Sequence, residues 1–129
     1  MRTLLLFICL SVSAFGYTII NYQVVDKQAS CDVIIGRDYI FVTYHDLNSD
    51  NKGQYYRRVK GLLSQKIQID GKTVNVKTTI YQNRSSDDLI IYKEFEGYKR
   101  GDGKIIRVKG DGQTYDYGFL RVVKKQTIN

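Results

Sequence analysis

Thr73-Val74-Asn75-Val76-Lys77-Thr78-Thr79-Ile80-Tyr81 is the stretch whose reading decides the fold class. Val74, Val76 and Ile80 fall on alternate positions, with Asn75, Lys77 and Thr79 between them. Successive side chains of a strand point to opposite faces, so the pattern predicts a strand with one face in a core and one in water. Ile67 and Ile69 alternate in the same way upstream, and Asp70-Gly71 separates the two runs. Asp-Gly accommodates the positive φ angles of a type I′ turn, so the two runs should form a tight hairpin.

Working outward, Val, Ile, Thr and Tyr dominate, and clusters of Gly, Asp, Asn and Ser interrupt them. Strands are expected near Thr18–Val25, Cys31–Ile35, Tyr39–Tyr44, Gln54–Lys60, Ser64–Ile69, Thr73–Tyr81, Asp88–Phe95, Lys104–Lys109 and Thr114–Lys124. Gly110-Asp111-Gly112 supplies a second hairpin turn, and Gly61-Leu62-Leu63 reads as a turn or bulge at most. In the last strand Tyr115, Tyr117 and Phe119 should point one way, and Leu120 and Val122 the other. No long window carries a helical apolar period. The expectation is an all-β chain: a single antiparallel β-sandwich or small β-barrel of about eight or nine short strands.

The N-terminus reads differently. Arg2 precedes the apolar run Leu4–Leu10, which reaches Val12, and Ser13-Ala14-Phe15-Gly16 places small residues three and one before Tyr17. This is the pattern of a secretory signal peptide over residues 1–16, followed by one all-β domain over residues 17–129. A membrane-spanning helix needs about 20 apolar residues, more than this stretch offers before Asn21 and Gln23. The expected location is therefore extracellular. Cleavage removes Cys9 and leaves Cys31, which cannot staple its own chain. Cys31 reads as a small buried hydrophobe at a strand start or as the thiol of an intermolecular disulfide, which would make a homodimer.

The formal charge is +7, from 20 Lys and Arg against 13 Asp and Glu, and it falls by one when Arg2 leaves. Such an excess favours anionic partners such as sulfated glycans or acidic lipids. The cations are interleaved with carboxylates along the chain, which reads as a generally solvated surface, and export argues against nucleic acid.

Reactive chemistry is sparse. The sole histidine, His45, sits in Tyr44-His45-Asp46 beside Ser49, and the reading there is a loop histidine rather than part of a catalytic triad. Asp87-Asp88 and Glu94/Glu96 are read as turn and solvated strand positions rather than as a glycosidase pair. Asp46-Leu47-Asn48-Ser49-Asp50 resembles the start of a calcium loop, but Asn51 stands where glycine is needed and Arg57 where a glutamate is needed. No cofactor and no metal site is expected.

Three features point to binding. Arg100-Gly101-Asp102 resembles the tripeptide that integrins recognise, and Lys109-Gly110-Asp111 follows as a relative of it. Asn83-Arg84-Ser85 is a glycosylation sequon, with Asn83 as the acceptor in a eukaryotic host. Eleven tyrosines and no tryptophan offer amphipathic contact surface, and Tyr55 and Tyr56 must lie on opposite faces of one strand. Together these point to a secreted, non-enzymatic binding or effector module recognising an extracellular protein or an anionic glycan. The alternatives are a carrier of a small apolar ligand inside a barrel, and integrin-type adhesion through Arg100, Gly101 and Asp102.

Overall fold

The computed structural model describes residues 16–46 and 53–129, and these form eight strands and no helix. They are β1 (Tyr17–Val24), β2 (Ala29–Ile35), β3 (Tyr39–Asp46), β4 (Gln54–Ile69), β5 (Lys72–Gln82), β6 (Asp88–Glu96), β7 (Gly103–Val108) and β8 (Thr114–Ile128). All pairings are antiparallel and belong to one sheet. Each strand pairs with the next in sequence, and β8 pairs again with β1, which closes the sheet. Residues 1–15 of the expected leader and most of the calcium-like loop lie outside the described residues. No helix among the described residues is long and apolar enough to cross a membrane.

The Asp70-Gly71 turn forms as expected, with φ of 51° and 76° at its two residues. At the second turn, Lys109 N donates to Gln113 O at 2.8 Å and Gly112 takes a φ of 93°. The two expected strands Gln54–Lys60 and Ser64–Ile69 are one 16-residue strand, because Gly61-Leu62-Leu63 is a bulge and not a turn.

β4 and β8 are the longest strands, and each passes from one neighbour to the other. β4 pairs with β3 over Gln54–Arg57 and with β5 from Arg57 to Ile69. β8 pairs with β7 up to Leu120 and with β1 from Leu120 to Ile128. Bulges accompany both handovers, since extra residues bend a strand and increase its twist.

Two apolar clusters result. The larger is built on Ile20, Val24, Cys31, Val33, Ile40, Val42, Leu89, Ile105 and Leu120, joined by Tyr44, Tyr56 and Tyr81. The smaller holds Ile69, Val74, Val76 and Phe119, with Val25, Ile67, Tyr92, Phe95 and Tyr98 against it. Val24 and Val25, Ile91 and Tyr92, and Phe119 and Leu120 are chain neighbours divided between the two clusters. Adjacent strand residues face opposite ways, so the smaller cluster lies on the other face of the sheet.

This division corrects two expectations. Val74 and Val76 are buried in the smaller cluster, but Ile80 on the same face is only half-buried, and Tyr81 on the opposite face enters the larger one. The buried face of β5 thus changes along its length. Tyr117 and Phe119 do not share a face: Gly118, at a φ of 84°, takes up a register shift opposite Ile105 and rotates the two side chains into different clusters. Leu120 is buried, whereas Val122 is exposed and Tyr115 stays outside the core.

Candidate binding surfaces

The smaller cluster is completed by charges from three turns. Arg100 Nη2 lies 3.1 Å from Asp26 Oδ2 in the β1–β2 turn, and Arg100 Nη1 lies 3.8 Å from Asp70 Oδ2 at the β4–β5 turn. Tyr98 donates its hydroxyl to the same Asp70 carboxylate. The Phe119 ring lies beneath two cations, Lys104 Nζ at 4.5 Å and Arg100 Cζ at 5.0 Å from its centroid. Lys104 is held in place by Asp116 at 3.0 Å. Around Phe119 opens a cleft of about 500 Å³, lined by Ile67, Ile69, Tyr92, Ile106 and these ion pairs. Its aromatic floor is ringed by charges that already neutralise one another.

Arg100, Gly101 and Asp102 therefore run along the wall of the sheet rather than standing on a projecting tip. Arg100 fastens the β4–β5 hairpin to the body of the fold. A side-chain carbon at Gly101 would come within 2.8 Å of Leu120 O, so the glycine is required by close backbone approach. Asp102 is exposed, yet its N–H donates to Leu120 O at 2.7 Å and its Oδ2 accepts from Val122 N at 2.8 Å. It caps the edge of β8 just before β7 begins at Gly103.

Asn83 is built into the β5–β6 turn. Its Oδ1 accepts from Ser85 N and Asp87 N, each at 2.9 Å, and its Nδ2 donates to Asp87 Oδ2 at 3.3 Å and Gln54 Oε1 at 3.4 Å. A sugar on Nδ2 would displace contacts that shape this turn. Beside it lies a buried ion pair that the sequence did not mark. Arg107 Nη2 and Nε reach Asp87 Oδ2 at 2.7 and 3.1 Å, and Gly110 N donates to Asp87 Oδ1 at 3.2 Å. Hydrogen bonding from Arg107 holds the Asp87 carboxyl below its usual range, against the opposing effect of burial. The pair ties the β5–β6 turn to the β7–β8 turn.

Cys31 is fully buried, among Tyr22, Tyr44, Tyr56 and Tyr117. Burial, with a smaller effect from Asp32, pushes its thiol up to about 12. A bond from Cys31 to a second chain thus requires the sheet to open. A thiol reagent at neutral pH, followed at Cys31 by peptide mass, is expected to react at least about 100-fold more slowly in the native protein than in denaturant. Equal rates would show an accessible thiol. His45 lies on β3 and not in a loop, its Nε2 3.4 Å from Asp32 Oδ2. Among the described residues no group of His, Cys, Asp and Glu is arranged to hold a metal ion.

The remaining surface of note follows the two strand handovers. From Val59 onward no described strand pairs with β4 on its β3 side. The segment Arg57–Lys66 contains Arg57, Arg58, Lys60 and Lys66, has no carboxylate, and is exposed throughout. Within it Val59, Leu62 and Leu63 are 56%, 54% and 43% exposed. Beyond the Asp102 cap, β8 repeats the composition in Arg121-Val122-Val123-Lys124-Lys125, with Val123 69% exposed. Tyr55 is exposed and Tyr56 buried, as their adjacency requires. Comparison of the chain with protein-family models, curated proteins and solved structures finds no match to any of them.

Proposed function

We propose that this chain is a secreted, non-enzymatic binding module that recognises an anionic extracellular partner through Arg57–Lys66 and Arg121–Lys125. The observation that carries this reading is the recurrence, at both long-strand handovers, of an exposed cationic segment without a carboxylate. Several cations elsewhere are paired, Arg100 with Asp26 and Asp70, Lys104 with Asp116 and Arg107 with Asp87, while within Arg57–Lys66 the described ion pair is that of Arg58 with Asp38. Unmatched surface charge attracts oppositely charged partners and speeds their encounter. The closed sheet is read as a small barrel. Ile40, Leu89, Ile105 and Leu120 fill its interior, which favours surface recognition over carriage of an apolar ligand inside.

The test is retention on an immobilised sulfated polysaccharide. Arg57→Gln/Arg58→Gln/Lys60→Gln is expected to weaken binding about tenfold at physiological salt. Lys93→Gln/Lys99→Gln/Lys109→Gln, which removes the same charge elsewhere, should have a much smaller effect. Equal losses in both variants would mean that net charge alone drives retention, and the proposed surface would be wrong.

A further inference from the structure

The cations of β4 explain attraction to an anion; they do not explain Val59, Leu62 and Leu63. The register places extra residues at two points, between Arg58 and Lys60 and between Lys60 and Leu63. Val59 is the first of these, and Gly61-Leu62 together face Thr79 across the ladder. Each bulge re-aims a side chain that a regular strand would have laid along the sheet. The result, the β4 knuckle, is three exposed apolar residues within a bulged stretch that also carries Arg57, Arg58 and Lys60. Tyr39, paired in register with Arg57, and Tyr55 stand exposed beside it. Among the described residues the acidic groups facing this region are few. Asp38 lies 3.7 Å from Arg58, and Glu94 and Glu96 share the shallow groove of Ser64, Lys66 and Lys77 further along the hairpin. Asp38 thus offsets part of the charge of Arg58, and Arg57 and Lys60 add positive charge beside the exposed apolar side chains.

Resting on the reading that these cations face an anionic partner, we infer that the β4 knuckle docks onto the surface of an anionic lipid bilayer. Val59, Leu62 and Leu63 enter the headgroup boundary while Arg57, Arg58 and Lys60 pair with acidic lipid phosphates. Reversible membrane attachment takes two signals, apolar insertion plus a basic patch, and both are present within seven consecutive residues. Exposed tyrosines at the rim suit the same boundary, where an amphipathic ring meets both lipid and water. A sulfated glycan would use the cations and leave the leucines in water. An added peptide strand would need a regular ladder, which the two bulges interrupt.

The experiment compares vesicles of phosphatidylcholine alone with vesicles in which about a third of the lipid is phosphatidylserine. The protein should sediment with the anionic vesicles only. Val59→Ser/Leu62→Ser/Leu63→Ser should lose at least about tenfold in vesicle affinity while keeping its retention on sulfated polysaccharide. All three positions are exposed, so folding is expected to survive and is checked by circular dichroism. The chain has no tryptophan, so Leu62→Trp provides a single emission reporter. Its spectrum should shift to the blue on anionic vesicles and stay unchanged with soluble polyanion. Vesicle binding unaffected by the serine substitutions, or an unshifted spectrum, would overturn the inference. Binding to the polysaccharide without binding to vesicles would overturn it too and leave the anionic-partner reading standing; binding to neither would remove both.

Discussion

Replacing Asp87 by alanine should destabilise the fold by about 3 to 5 kcal/mol, measured by chemical denaturation, the largest single-charge effect expected in this chain. Asp87 is 3% exposed and Arg107 is mostly covered, so removing the carboxylate leaves a guanidinium in the interior without its partner. Gly110 N and Asn83 Nδ2 lose an acceptor in the same step. Asp87→Leu combined with Arg107→Met should recover most of the loss, because what is costly is the uncompensated charge. A loss below about 1 kcal/mol for Asp87→Ala would place the pair among ordinary surface contacts. The pH dependence has a fixed sign. The folded carboxyl titrates below its ordinary value, so its contribution is fully present above about pH 4 and is lost as pH falls through the folded-state value. Asp87→Asn should therefore show a shallower loss of stability in acid than the wild type.

Phe119→Ala should cost about 3 to 5 kcal/mol and loosen one part of the fold more than the rest. Phe119 is 8% exposed at the centre of the smaller cluster, meets Phe95 edge-on at 5.8 Å and carries the Lys104 and Arg100 contacts. Without it the end of the β4–β5 hairpin keeps its backbone ladder but loses the surface that it covers. Amide exchange should rise most over Ile67–Val76 and least at Val33, Ile40 and Leu89. A uniform rise across both regions would show that the two clusters unfold as one unit.

The strands were legible because period-2 patterning and turn chemistry are local. Asp70-Gly71 and Gly110-Asp111-Gly112 mark their turns, and Val74 and Val76 mark a buried face. What sequence could not carry was a change of face along a strand. Tyr115, Tyr117 and Phe119 alternate without fault in the chain, and only the bulge at Gly118 turns Phe119 away from Tyr117. Gly118 was the available signal, since glycine inside a strand pattern points to a bulge. The continuity of β4 across Gly61 depends on β5 supplying a partner on one side. Asp87 and Arg107 are 20 residues apart, and Arg100 and Asp26 are 74 apart. No short-range pattern marks such pairs, so Asp87 read as a turn residue and Arg100 as a free recognition group. The basic knuckle was missed for another reason: the carboxylate-free run from Asn51 to Ile69 stands in the chain, but nothing local in it shows that Val59, Leu62 and Leu63 are left exposed at bulges.

Seven of the eight strand ladders join neighbours along the chain, while the eighth joins Tyr17 to Ile128. During synthesis the hairpins can therefore zip up in chain order, each by a short loop closure. The β1–β8 seam must wait until β8 has been made. Throughout that interval the first strand keeps one side unpaired, open to any other extended chain. Pairing of β8 with β1 is thus the step that covers the open side of the first strand.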